Sequence, residues 1–205
     1  MKLEEKYLKF CAEQGRRIID LYAKSASEPK EKQKSHHDLE WIVREDCQKQ
    51  IYLRELQVVW NACHVRAFVI KKGSHYEIYL GSEMPESILR WYKCKELFQI
   101  VLDSPAFPEF RTTDLVDHIG KMVLRAQPES SDLGIGPTAI GETLAELAAV
   151  EFLIPHADRV KLRHSHSAGN TDYKKIAEDY GLFQSLVEWT MTDEFMATMA
   201  PYFGI

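Results

Sequence analysis

The chain of 205 residues reads as an α+β fold, mostly helical, with one small sheet. Apolar residues recur at helical spacing near both ends and through 86–102 and 139–154. Residues 65–80 switch instead to strand formers and a period of two. Clusters of Gly and Pro fall between these segments rather than inside them.

Taken in order, Leu3, Tyr7, Phe10, Cys11, Ile18, Leu21 and Tyr22 predict a helix over 3–24. Ser25 to His37 is polar, carries Pro29 and has no periodicity, so it reads as a loop or linker. Leu39, Ile42, Val43, Cys47, Leu56, Val59, Trp60 and Cys63 predict a second helix over 38–63, whole or broken. Val65 to Ile70, a turn at Lys71-Lys72-Gly73-Ser74, and Tyr76 to Leu80 predict a β-hairpin. Met84-Pro85 marks a break before a helix over 86–102. Two prolines place a loop at 103–112, and Thr112 or Thr113 caps a predicted helix over Asp114–Arg125. A second loop covers 127–137, and the next helix runs over 139–154 to Pro155. Tyr173 to Gly181 and Leu182 to Trp189 read as a helix–turn–helix.

Composition sets bounds. The chain is 45% apolar and 28% charged, ordinary for a globular protein and long enough to bury a core. A net charge of -5 and a pI near 5.9 argue against general nucleic-acid binding. Cys11, Cys47, Cys63 and Cys94 form no C-x-x-C pair and read as reduced thiols. The charged start, Met-Lys-Leu-Glu-Glu-Lys, is not a signal peptide, and no apolar run is long enough to span a bilayer. A cytoplasmic protein with no membrane contact is the expectation.

Two stretches carry a chemical pattern. The first is Arg90-Trp-Tyr-Lys-Cys-Lys95-Glu96-Leu97-Phe98-Gln99, and the second is Glu142-Thr-Leu-Ala145-Glu-Leu-Ala148-Ala149-Val-Glu-Phe-Leu153-Ile154-Pro155. Together they resemble the ImmA/IrrE family of metallopeptidases, whose helices read R-x-F-T-x-A-H-E-L-x-H and E-x-x-A-N-x-F-A-x-x-L-L-x-P. Cys94 falls at the Ala position, Arg90 and the aromatic Tyr92 stand within one place of the Arg and Phe positions, and Glu142, Ala145, Ala149, Leu153 and Pro155 keep the second spacing. Lys95 and Gln99 replace the two histidines, while Glu96 holds the general-base position and Glu142 that of the third metal ligand. Phe98, Glu146 and Ala148 also depart from the pattern, and the gap from Gln99 to Glu142 is long. The matched region runs from about residue 76 to 189. The resemblance implies a zincin-like domain over 64–205, with a small sheet ahead of the first helix. Residues 1–63 would then be an N-terminal helical extension, packed on that domain or separate from it.

In such a motif, histidines four apart share one helix face and bind zinc. The metal acidifies its water and the intervening Glu takes the proton. Lys95 offers an ammonium with no lone pair, and Gln99 only a neutral carbonyl. No metal and no cofactor are therefore expected. Instead Lys95, Glu96, Gln99 and Glu142 should converge as a salt-bridge cluster in the metal's place. Two carboxylates against one ammonium would call in an arginine or raise one Glu pKa.

Other groups read as structural. His156, His164 and His166, with Arg159, Lys161 and Arg163, read as a basic surface loop. His36-His37 reads as a solvated pair, and His118 with Asp114 as a surface pair. Gly134, Gly136 and Gly141 match no nucleotide motif, and Cys94 lacks a histidine to activate it.

Three functions follow. In the first, the chain is a catalytically inactive ImmA/IrrE-type protein acting as a regulatory or protein-binding module. It would be bacterial or encoded on a mobile element, with a partner such as a transcriptional regulator, or with a second copy of itself as a homodimer. In the second, it is an active metallopeptidase that cleaves a repressor-type regulator through a displaced metal site using His118 or His156. In the third, it is an unrelated helical partner-binding protein, with Glu96 and Glu142 far apart.

Overall fold

In the computed structural model the described residues are 4–25, 32–56, 67–105, 107 and 137–204. They form α1 (Glu5–Ser25), α2 (His36–Glu45), β1 (Gln50–Leu56), β2 (Ala67–Lys72), β3 (His75–Gly81) and α3 (Glu86–Leu102). After these come α4 (Pro137–Leu153), α5 (His156–Ser167), α6 (Tyr173–Tyr180), α7 (Gln184–Thr190) and α8 (Asp193–Phe203). The fold is α+β and mostly helical. The helix predicted over 114–125, with His118, lies outside the described residues, as does Cys63.

The sheet has three strands in the order β1-β3-β2. The predicted hairpin forms its antiparallel half, with Val69 opposite Ile78. Gly73 turns it at a φ of 60°, a left-handed value that suits a residue without Cβ. β1 runs parallel to β3, with Ile51 opposite Tyr76.

That strand corrects the helix predicted over 38–63. The helix stops at Glu45, and Gln48, at a φ of 54°, lies between it and Gln50, where the chain becomes extended. In the sequence Ile51 stands four residues after Cys47 and continues the helical period, so the apolar spacing gave no sign that the helix ends. Ile51 alone is buried in β1, while Tyr52 and Leu53 stay 48% and 40% exposed, so no clean alternation betrays the strand.

α2 also starts inside the predicted linker. The Ser35 hydroxyl accepts the N–H groups of His37 and Asp38 as a helix cap. His36 is therefore buried in the first turn, only 5% exposed, rather than solvated; His37 is exposed.

α3 and α4 form the centre. Both are buried around most of their circumference, as befits helices covered on several sides. Leu97, Phe98 and Ile100 of α3 share one core with Leu144, Val150 and Phe152 of α4, Ile51, Val69 and Ile78 of the sheet, and Ile18, Tyr22 and Leu39 of α1 and α2. Small Ala145, Ala148 and Ala149 let neighbours approach α4, and the Cys11 thiol of α1 donates to the Leu144 carbonyl at 3.2 Å.

The terminal helices close the structure. Asp172 caps α6 through the Lys175 N–H, and Gly181 ends it at a φ of 63° while Leu182 N–H returns to the Ala177 carbonyl. This is the predicted helix–turn–helix. Thr192 caps α8, and Arg16 of α1 donates to the Tyr202 carbonyl at 2.8 Å. Residues 156–167 are a helix, not the predicted basic loop. Among the described residues no helix is long and apolar enough to cross a membrane.

Candidate functional site

α3 presents charge to the interior, which its apolar surroundings make costly. Lys95 is 7% exposed and Glu96 fully buried, and the Lys95 ammonium stands 2.9 Å from Glu96 Oε1. Neither Glu96 oxygen has a partner of hydrogen-bond geometry among the described residues, so the contact is one of charge. Glu142, on the facing helix α4, is close enough for its charge to act on both Lys95 and Glu96, and Glu146 acts on Lys95. Lys95 also lies over the Tyr92 ring, 6.0 Å from its centroid.

The electrostatics follow from burial. Burial alone would depress Lys95, but the carboxylates of Glu96 and Glu142 outweigh it and hold the ammonium above its usual range. Burial raises Glu96; Lys95 opposes that rise and Glu142 adds to it. Gln99, one turn on from Lys95, is half-buried and makes no side-chain hydrogen bond among the described residues.

The donor set does not fit a zinc ion. The nitrogen nearest Glu96 is an ammonium, which lacks a lone pair and would repel a cation. Among the described residues no three His, Cys, Asp or Glu side chains are grouped to hold a metal.

Elsewhere α3 is tied down. The Lys93 ammonium, buried, meets Glu40 Oε2 of α2 at 2.6 Å, and Arg44 shares that carboxylate. Arg90 donates to the Tyr180 carbonyl at 3.1 Å, and a Cβ on Gly181 would fall 2.5 Å from its Nη1, so the glycine also makes room for this contact. At the other end, Asp103 accepts from Lys71 at 2.8 Å and from the Tyr76 hydroxyl at 2.7 Å, joining helix to sheet.

A second buried ion pair was not legible as such. Arg159, fully buried, donates to Glu151 at 3.0 Å and to the Ile154 carbonyl at 2.9 Å. Both Glu151 oxygens accept the His156 N–H, at 2.9 and 3.1 Å. Burial raises Glu151, opposed by the Arg159 guanidinium and that N–H. The available signal was Glu151 placed just ahead of Pro155, where a helix start needs an acceptor.

The remaining candidates resolve plainly. Burial pushes the Cys94 thiol up to about 12, against Arg90, Lys93 and Lys34, so it is no thiolate. His36 is held at about 4 by burial and Lys93 and stays neutral. His156 packs beside Arg159, 3.5 Å from its Nη2, and His166 stacks on Tyr173 at 4.1 Å.

No family model matches the chain, and no curated protein matches it. Among solved structures, a Mycobacterium tuberculosis transcriptional regulator aligns at 11% identity over 89% of this chain and 50% of that one, with a TM-score of 0.46. The chain thus spans half the length of that protein.

Proposed function

We propose that the chain is a non-catalytic relative of the ImmA/IrrE metallopeptidases that works as a regulatory, protein-binding module. One observation carries the reading: the ammonium of Lys95 lies buried 2.9 Å from the Glu96 carboxylate. In an H-E-x-x-H helix the side chain ahead of the Glu is a metal ligand. An internal cation there supplies positive charge to Glu96 and Glu142 without a metal's Lewis acidity. Glu96 as a general base would also need a water to deprotonate, and its carboxylate is instead closed off against Lys95. The proximity of Glu142 to both groups supports this reading over one with Glu96 and Glu142 far apart. For the displaced metal site, His118 lies outside the described residues and His156 is engaged with Arg159. The partner we propose is a protein, such as a transcriptional regulator.

The test is metal content of protein purified without chelator, beside a Lys95→His/Gln99→His variant. The expected outcome is no stoichiometric zinc in the wild type and about one zinc per chain in the variant, because Glu142 completes a three-ligand set. Stoichiometric zinc in the wild type would overturn the ammonium reading. A variant that folds yet binds no zinc would break the resemblance itself.

A further inference from the structure

The helix–turn–helix at α6–α7 has no role in the Lys95 cluster, yet its geometry is well made. Gly181 forms the turn, and Leu186, Val187 and Thr190 bury one face of α7. The other face presents Gln184, Ser185, Glu188 and Trp189 to solvent. A helix placed this way reads a major groove in DNA-binding proteins, where lysines and arginines must neutralise several phosphates. Here the sequence from Ile176 to Ile205 contains no Lys, Arg or His, but holds Glu178, Asp179, Glu188, Asp193 and Glu194. Duplex DNA would meet like charge along the helix that should read it.

From this we infer that the outer face of α7 and the start of α8 is a protein-docking surface for a lysine- and arginine-rich segment of a partner protein. Three features fit that occupant. Trp189 is 42% exposed, large for a surface aromatic. It is held rather than loose, edge-on against Phe195 with ring centroids 4.7 Å apart, while Thr192 donates to its carbonyl at 2.9 Å. Phe195 is backed in turn by the buried Arg159 guanidinium at 5.3 Å. Tryptophan is enriched among the residues that anchor protein interfaces, and its ring accepts an arginine face by cation–π attraction.

The acids complete the match. Asp179 is already paired with Lys32 and Lys175, and Asp193 with Arg163. Glu188 and Glu194 are exposed and make no ion pair among the described residues; Glu188 takes only the Gln184 amide at 2.7 Å. They flank Trp189 in sequence and leave negative charge for cations on either side of an anchored residue. This deepens the protein-binding reading by naming a surface and a partner chemistry. It stands on α6–α8, so its failure would leave the zinc result untouched.

The experiment titrates the isotope-labelled full chain with a short peptide of arginine, lysine and leucine. A glutamate–leucine peptide of equal length and a short mixed-sequence DNA duplex are titrated beside it, all at moderate salt. The basic peptide should shift the Trp189 indole N–H and the Glu188 amide, and Trp189→Ala and Glu188→Lys should each weaken it about 10-fold. Glu188→Lys is at an exposed position and should leave the amide spectrum of the core unchanged, and Trp189→Ala should change it only around Phe195. Shifts of the same resonances by the duplex would assign the face to DNA and overturn the inference. So would basic-peptide shifts that map elsewhere, an affinity unchanged in both variants, or no binding at all.

Discussion

Lys95–Glu96 and Glu151–Arg159 are both buried ion pairs, and they are built differently. Glu151 and Arg159 sit on two helices that meet at Pro155, and both carboxylate oxygens and both terminal guanidinium nitrogens are used; among the described residues the Arg159 Nε has no partner. The carboxylate accepts from the guanidinium and from a backbone N–H at the start of α5, while the guanidinium also donates to the Ile154 carbonyl just past α4. This pair is a joint. Lys95 and Glu96 are neighbours on one helix, and the Glu96 oxygens have charge beside them but no hydrogen bond among the described residues. Buried acceptors left this way are uncommon in folded proteins.

The comparison is sharpest under mutation. Arg159→Ala should cost the most, about 3–5 kcal/mol in urea unfolding, because it strands Glu151 and uncaps the Ile154 carbonyl. A loss below about 1 kcal/mol would remove the idea of a joint.

Lys95→Met should cost less, about 2 kcal/mol at pH 8, and the cost should shrink towards pH 5. The sign follows from linkage. The raised pKa of Lys95 makes its stabilisation constant at all pH well below the usual lysine range. Glu96 is also raised, so its contribution is full below the unfolded carboxyl pKa and is lost as pH rises through the folded one. Without Lys95 that loss deepens, and only acid restores it. Urea midpoints across this range would check it, and a cost independent of pH would show that Glu96 does not sense Lys95.

The smallest effect should come from Glu96→Gln, within about 1 kcal/mol of wild type at pH 7, against about 1–3 kcal/mol for Glu151→Gln. The amide replaces a carboxyl group whose oxygens make no hydrogen bond among the described residues, whereas at 151 it disturbs bonds that exist. Because Glu96 is raised, the variant should gain on the wild type as pH increases. Equal losses at 96 and 151 would erase the distinction between the two pairs.

Much of the architecture was legible. α1, the β2–β3 hairpin, α3, α4 and the α6–α7 turn each carry a local signal: apolar period, a Gly at a left-handed turn, or a capping Asp. β1 was not, because an edge strand with one buried residue has almost no alternation to read. α5 was not, because its sequence is polar and basic and its helix is held at its start by Glu151 and Arg159 rather than by an apolar stripe. In the candidate site, Lys95, Glu96, Gln99 and Glu142 could be picked out by spacing, but not the 2.9 Å contact or the degree of burial. Lys93–Glu40 and Glu151–Arg159 gave no comparable pattern.

By itself, then, the sequence determined α1, the β2–β3 hairpin, α3, α4 and the α6–α7 turn, and which charged residues lie along α3 and α4; it did not determine β1 or α5. These depend on neighbours a few residues away, through backbone preference and the period of the apolar face. The tertiary structure alone decided which charges lie inside and what each one meets. A charge's free energy depends on the atoms packed around it, and those arrive from distant parts of the chain: Glu142 against Lys95, Glu40 against Lys93, the Tyr180 carbonyl against Arg90.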